Sequence, residues 1–380
     1  MFRRDFLLAS LFRASGAPTL HLEQQIPSTT PFNNLGRFGW RRLRRMFSAF
    51  LLLVTSFGAM LYAQTPTPVT GSRSPALTTA GPDRPAGVPE GYVITPNGYF
   101  HPSCVKELAQ GDILRKDEGA IQHADGTLTD IAPCNYPHYT AKGESVSTEG
   151  EESAEPNGAH TAAAPTPSTS TYIEYAYIDT TTSYAGVIGS LTVPPAPSSN
   201  NGQTVFFFPG LIDDQVGGET ATILQPVLGW NGFSSAVWTI ASWNCCYDGV
   251  QTHSTPMTVS AGALIIGEVY SNCPSGSLTC STWYVSTEDA GKGSTTLSST
   301  SSYGQTFNYA FGATMEVYSV AQCSDYPSNG SLIFSGTVYN EDGGPISNPP
   351  WTFYTDTSVT PQCSYDATSS SEGEELTLSY

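Results

Sequence analysis

From Thr171 to Tyr380 the chain is a succession of short segments built to be β-strands. They include "YAGVIGSLTV", "TVFFFPGL", "TATILQPVL", "AVWTIASW", "ALIIGEVY", "TWYVSTED", "TFNYAFGATMEVYSV" and "LIFSGTVYN". Each is rich in β-branched or aromatic residues and is closed by Gly, Pro, Ser or Asn. Several alternate with period two, and none carries a helical stripe of useful length. About thirteen such segments in 210 residues predict an all-β fold, a large antiparallel β-sandwich.

The chain before Thr171 is organised differently. Residues 64–88 and 141–170 are low-complexity stretches of Pro, Ser, Thr, Ala and Gly that bury too little apolar surface to order, and they read as linkers, the second one acidic. Between them, residues 89–140 hold three short apolar runs, "YVIT", "AIQH" and "LTDI", with turns at "PNG" and "ADG". A module of about fifty residues is marginal without a covalent staple, which Cys104 and Cys134 are placed to supply. It reads as a pro-segment covering the next domain or as an independent appended module. Residues 1–63 read as a leader. Arg41, Arg42, Arg44 and Arg45 precede an apolar run from about Phe47 to Ala63, the pattern of a secretory signal near residues 41–63. The protein is therefore expected outside the cell, touching a membrane only through an uncleaved leader.

Charge narrows the partners. Residues 171–380 carry 18 acids and a single base, Lys292. Such a surface repels nucleic acid and anionic membranes. It has few ion pairs to lose when carboxylates protonate, so tolerance of acid is expected. The eight cysteines of an exported chain read as disulfides. Cys273 and Cys280 flank "PSGSLT" as a hairpin staple, and Cys245, Cys246, Cys323 and Cys363 leave three connectivities open. No spaced Cys/His quartet points to a metal, and no cofactor is expected.

The usual nucleophile arrangements have little support. There is no GxSxG, and His253 stands in the polar stretch "GVQTHSTP". What remains are polar side chains set within apolar strands: Gln225 in "ETATILQPVL", and Glu219, Glu268 and Glu316. A strand carboxylate that faces a concave surface is desolvated, its pKa rises, and it becomes a candidate base.

The order of "TSYAGVIGSLTVP", "FFFPGLID", "ETATILQPVL", "WTIASW" and "MTVSAGALIIGEVY" resembles the glutamic peptidases, the eqolisin family. The resemblance covers about Tyr184 to Tyr380. It implies a concanavalin-like sandwich, a secreted acid endopeptidase, and a polypeptide substrate bound by a monomer. It places the catalytic glutamine at Gln225, in "ETATILQ", and the catalytic glutamate at Glu316, in "TMEVYSV". By strand alternation Trp238 and Trp243 would line the cleft, with Asp213 at its border. The sequence departs from the family where Val317 replaces a tryptophan, where Ser242 takes the place of a second glutamate, and in the turn "FPGLIDDQVGG". A related plant-type family uses two glutamates, for which Glu219 and Glu316 are the pair. A different class of function, a non-catalytic sandwich binding carbohydrate or a cell-surface polymer, would stack sugars on Trp230, Trp238, Trp243 and Trp283.

Overall fold

The computed structural model describes residues 76–380 apart from 82, 116–117, 133, 147–167, 215–220, 247–248 and 278–279. The expected leader, most of both linkers and Glu219 lie outside the described residues. The segment of residues 76–146 contains β1 (Val93–Thr95), β2 (Gly98–Phe100), β3 (Val105–Leu108), β4 (Ile113–Arg115), β5 (Ala120–Gln122), β6 (Leu128–Asp130), β7 (His138–Tyr139) and β8 (Ser145–Val146), the last inside the stretch read as the second linker. Cys104–Cys134 closes it as expected.

The rest is a β-sandwich. Its strands are β9 (Thr169–Asp179), β10 (Tyr184–Thr192), β11 (Thr204–Ile212), β12 (Ile223–Trp230), β13 (Trp238–Cys245), β14 (Gln251–Ser254), β15 (Met257–Val259) and β16 (Leu264–Ser271). They continue with β17 (Thr282–Asp289), β18 (Gly293–Ser301), β19 (Tyr309–Val320), β20 (Ser331–Asn340), β21 (Thr352–Thr355), β22 (Asp366–Ser369) and β23 (Glu375–Ser379). One sheet runs β18-β17-β16-β10-β20-β23-β22 and the other β21-β9-β19-β11-β12-β13-β14-β3, with β15 on β13. Every segment read as a strand in the sequence forms one, and β14 and β22 are additional. Cys273–Cys280 pairs as expected, and the open set resolves to Cys245–Cys246 and Cys323–Cys363.

Alternation explains the core. Val205, Phe207, Leu228, Trp230, Met315, Val317, Phe334 and Leu376 point between the two sheets and form one apolar cluster. Close approach of the sheets needs small residues opposite rings: a Cβ on Gly267 would lie 2.6 Å from Pro226 Cγ. The opposite face of the larger sheet, with Phe206, Phe208, Ile223, Val227, Trp243 and Tyr318, is also buried, because Tyr92, Ile94, Tyr99 and Phe100 of the N-terminal module pack on it. This is why β12 and β13 are buried at every position. The module also adds β3 to the sheet edge, parallel to β14, with Gln251 opposite Val105 and His253 opposite Glu107.

Candidate active site

Gln225 sits where the ladder between β11 and β12 opens. Pairing runs from Val205↔Trp230 to Phe207↔Leu228 and resumes only at Leu211↔Leu224. Pro209 and Pro226 lie in that gap and have no N–H to give to a ladder, so the strands part there. On the far side of β11, Phe206 pairs with Glu316 of β19. Gln225, Glu316 and Tyr318 all stand on the face covered by the module, and all three are fully buried.

One residue of the module joins them. The turn between β1 and β2 is Thr95-Pro96-Asn97-Gly98, with Asn97 at φ 78° and Gly98 at φ 133°. The Asn97 backbone N–H donates to both Glu316 oxygens, at 3.0 and 3.1 Å. Its side-chain Nδ2 donates to Gln225 Oε1 at 2.6 Å, and its Oδ1 accepts from the Tyr172 hydroxyl. Gln225 and Glu316 therefore approach closely enough to be bridged by a single asparagine. The Tyr318 hydroxyl donates to Glu316 Oε1 at 2.6 Å. Gln225 Nε2 is buried and has no hydrogen-bond partner.

The electrostatics follow from burial. Desolvation pushes the Glu316 carboxyl up to about 8, against the lowering effect of the Tyr318 and Asn97 donors. Burial, reinforced by the Glu316 charge, raises Tyr172 and Tyr318 well above the ordinary tyrosine range. On β14, burial lowers the pKa of His253, whose Nδ1 lies 2.9 Å from the Ser254 carbonyl and whose ring packs on Trp243. Beside the turn lies a cavity of about 430 Å³ walled by Tyr172, Tyr175, Phe311, Ile223 and Tyr354, with Glu316 at its edge.

The other expected site residues fall as follows. Trp243 faces the module on the same side as Gln225, which it pairs with across β12 and β13. Trp238 does not line the cleft: the two strands place it on the opposite face, packed on Trp230 and Phe207. Asp213 accepts from the Thr306 N–H at 2.8 Å and is not among the residues lining the cavity. Ser242 also points between the sheets, bonded to Thr287 and to the Thr295 carbonyl, so the site-facing neighbour on β13 is Trp243. Trp230, Trp238, Trp243 and Trp283 are all buried, which leaves none of them as an open sugar-stacking platform. Sequence reasoning missed Asn97, Tyr172, Tyr318 and Gln251. Tyr318 had a signal: it lies two residues from Glu316 on one strand and so shares its face.

Among solved structures, Scytalido-glutamic peptidase with a peptide-based transition-state analogue aligns at TM-score 0.42 and 18% identity, over 56% of this chain and 100% of that one. SCP-B, a member of the eqolisin family solved with the tripeptide Ala-Ile-His, aligns at 0.40 and 17%, over 56% of this chain and 99% of its own. No family model matches the sequence, and no curated protein matches it. Among the described residues, no group of three or more His, Cys, Asp and Glu side chains could hold a metal ion.

Proposed function

We propose that the chain is an exported endopeptidase of the glutamic-peptidase type, made as a precursor whose N-terminal module, residues 89–140, fills its own active site. The observation that carries this reading is the convergence of the Gln225 amide and the Glu316 carboxyl on the peptide N–H and side chain of Asn97. A peptide group already occupies the space that a substrate would take.

The chemistry needs only these groups. With the module withdrawn, solvent reaches Glu316 and relieves the desolvation that holds its carboxyl up, so the ionised group takes a proton from a water between it and Gln225. The hydroxide adds to the scissile carbonyl carbon while Gln225 Nε2 donates to the developing oxyanion. The proton held by Glu316 passes to the amide nitrogen, the C–N bond breaks, and a carboxylic acid and an amine leave. An amide donates without titrating, which suits work in acid. The aromatic cavity beside Glu316 accepts a large apolar side chain of the substrate. Four disulfides and a base-poor sandwich fit export into an oxidising environment. In this reading the leader directs export, the acidic linker at 141–170 is where the precursor is cut, and the processed enzyme acts as a monomer.

The test is digestion of denatured protein between pH 2 and 7 by the acid-treated full chain and by its Gln225→Ala and Glu316→Gln variants. Removing an oxyanion donor typically costs about 10²–10³ in rate, and Gln225→Ala should lose that much. Glu316→Gln should lose at least as much. Equal digestion by all three proteins removes the assignment.

A further inference from the structure

We infer that Gln251 is a further substrate-binding residue, whose side-chain amide grips a backbone carbonyl of the bound polypeptide; this rests on the peptidase reading above. The Pro96–Asn97 peptide group is held at both ends. Its N–H donates to Glu316, and its oxygen, Pro96 O, accepts from Gln251 Nε2 at 3.0 Å. The same Nε2 reaches Thr95 Oγ1 at 2.8 Å and Cys245 Sγ at 3.0 Å. Pro96 O is a main-chain carbonyl and stands in for any substrate carbonyl brought to that point.

Two features mark Gln251 as built for this. Trp243 pairs with both Gln225 and His253, and Asn244 with Thr252. Continuing that register sets Gln251 beside Cys245, one pleat further along the face that carries Gln225. Gln251 is also fully buried, and its Oε1 has no hydrogen-bond partner. Once the turn withdraws, Nε2 loses both oxygen acceptors and keeps only the sulfurs of Cys245 and Cys246, which are weak ones. A desolvated amide donor aimed into the emptied site favours any carbonyl that takes the place of Pro96 O.

Pro96 O is held by Gln251 and not by Gln225 Nε2, so the carbonyl that Gln251 grips is not the one that becomes the oxyanion, and Gln251 binds the ground state and the transition state alike. Its loss therefore raises KM and leaves kcat nearly unchanged, whereas loss of Gln225 lowers kcat.

The experiment uses the full chain carrying Asn97→Asp, at pH 6.5, where the introduced carboxylate keeps the turn out of the apolar site. The probe is the N-acetylated, C-amidated peptide VITPNGY, the sequence of residues 93–99, with binding read by calorimetry. Gln251→Met keeps the volume and removes the donor. Gln251→Leu removes it by another route and serves if the first variant melts early. Each should weaken peptide binding by about tenfold or more. In the acid-processed chain, Gln251→Met should raise KM by a similar factor with kcat within about twofold. A peptide that fails to bind the Asn97→Asp chain, or binds the Gln251 variants equally well, overturns the inference. Gln251-dependent binding without any hydrolysis upholds it and sinks only the peptidase reading.

Discussion

The hydroxyl of Tyr318 donates to Glu316 Oε1 across 2.6 Å of fully buried space. A donor to a carboxylate favours the charged form, while the surrounding burial opposes it and has won, at about 8. Tyr318→Phe removes the donor and keeps the ring that packs edge-on against Tyr99 and Phe206. The Glu316 carboxyl is expected to move further up, by about one unit for a charge-assisted bond of ordinary strength. Carbon-13 NMR titration of glutamate-labelled full chain, assigned with Glu316→Gln, reads this directly. A Glu316 pKa that stays put or falls refutes the role of Tyr318.

Asn97 links the module to the site through its side chain as well as its backbone. Asn97→Ala deletes the bonds to Gln225 and Tyr172 and should open the site about 10- to 100-fold more often at any pH. Asn97→Asp behaves differently. Ionised, its carboxylate would face Gln225 Oε1 without a donor and could not stay buried, so the site opens at neutral pH. Protonated, it again donates to Gln225, so the site closes toward pH 3. Hydrogen exchange of the residue-97 amide at pH 3 and pH 7 separates the two variants. The same pH response in both would show that the side chain does not hold the turn.

Gly98 tests the turn from the backbone side. Its φ of 133° lies where only glycine is comfortable, and a Cβ there would sit 2.2 Å from the Tyr139 carbonyl oxygen. Gly98→Ala must break the β2–β7 contact or shift the turn. The full chain should then cut at 141–170 faster on acid treatment, followed by gel, with Gly81→Ala as the control because a Cβ at Gly81 meets nothing within 4 Å and its φ is not positive. Unchanged processing would mean that the turn is not the lock.

The sandwich was legible because its strands are apolar in the right rhythm. Two strands escaped notice for a common reason: "QTHS" and "DATS" are polar, and only the neighbours' backbone makes them strands. Gln225 and Glu316 were legible through their apolar surroundings and the order of the flanking segments. Trp238 was misplaced because burial on both faces of β13 hides which face is which; parity with Gln225 decides it. Asn97 and Gln251 were invisible for a deeper reason. Their meaning lies in a contact between segments more than 150 positions apart, Gln251 to Thr95 and Pro96, and "TPNGY" alone reads only as a turn.

Glu174 carries the last prediction, on stability. It is fully buried on β9, on the face opposite Tyr172, and neither oxygen makes a hydrogen bond of good geometry. Burial pushes its carboxyl up to about 9, helped by the nearby Asp366 and opposed by backbone groups of Asp366 and Ser379. The sign is that of a raised acid. Unfolded, the group ionises above about 4.5; folded, it stays neutral until about 9. Its contribution is fully present below the unfolded pKa and is lost as pH rises through that window. The fold is thus more stable in acid by this group, in keeping with the single base of residues 171–380. Glu174→Gln, neutral at every pH, should remove this group's share of the slope, leaving that of Glu316, and gain up to about 2–3 kcal/mol at pH 7 relative to the parent. Urea unfolding at pH 4, 6 and 8 measures it. A parent whose stability holds level or climbs between pH 5 and 8, or a variant that keeps the same slope, would show that Glu174 does not titrate as its burial requires.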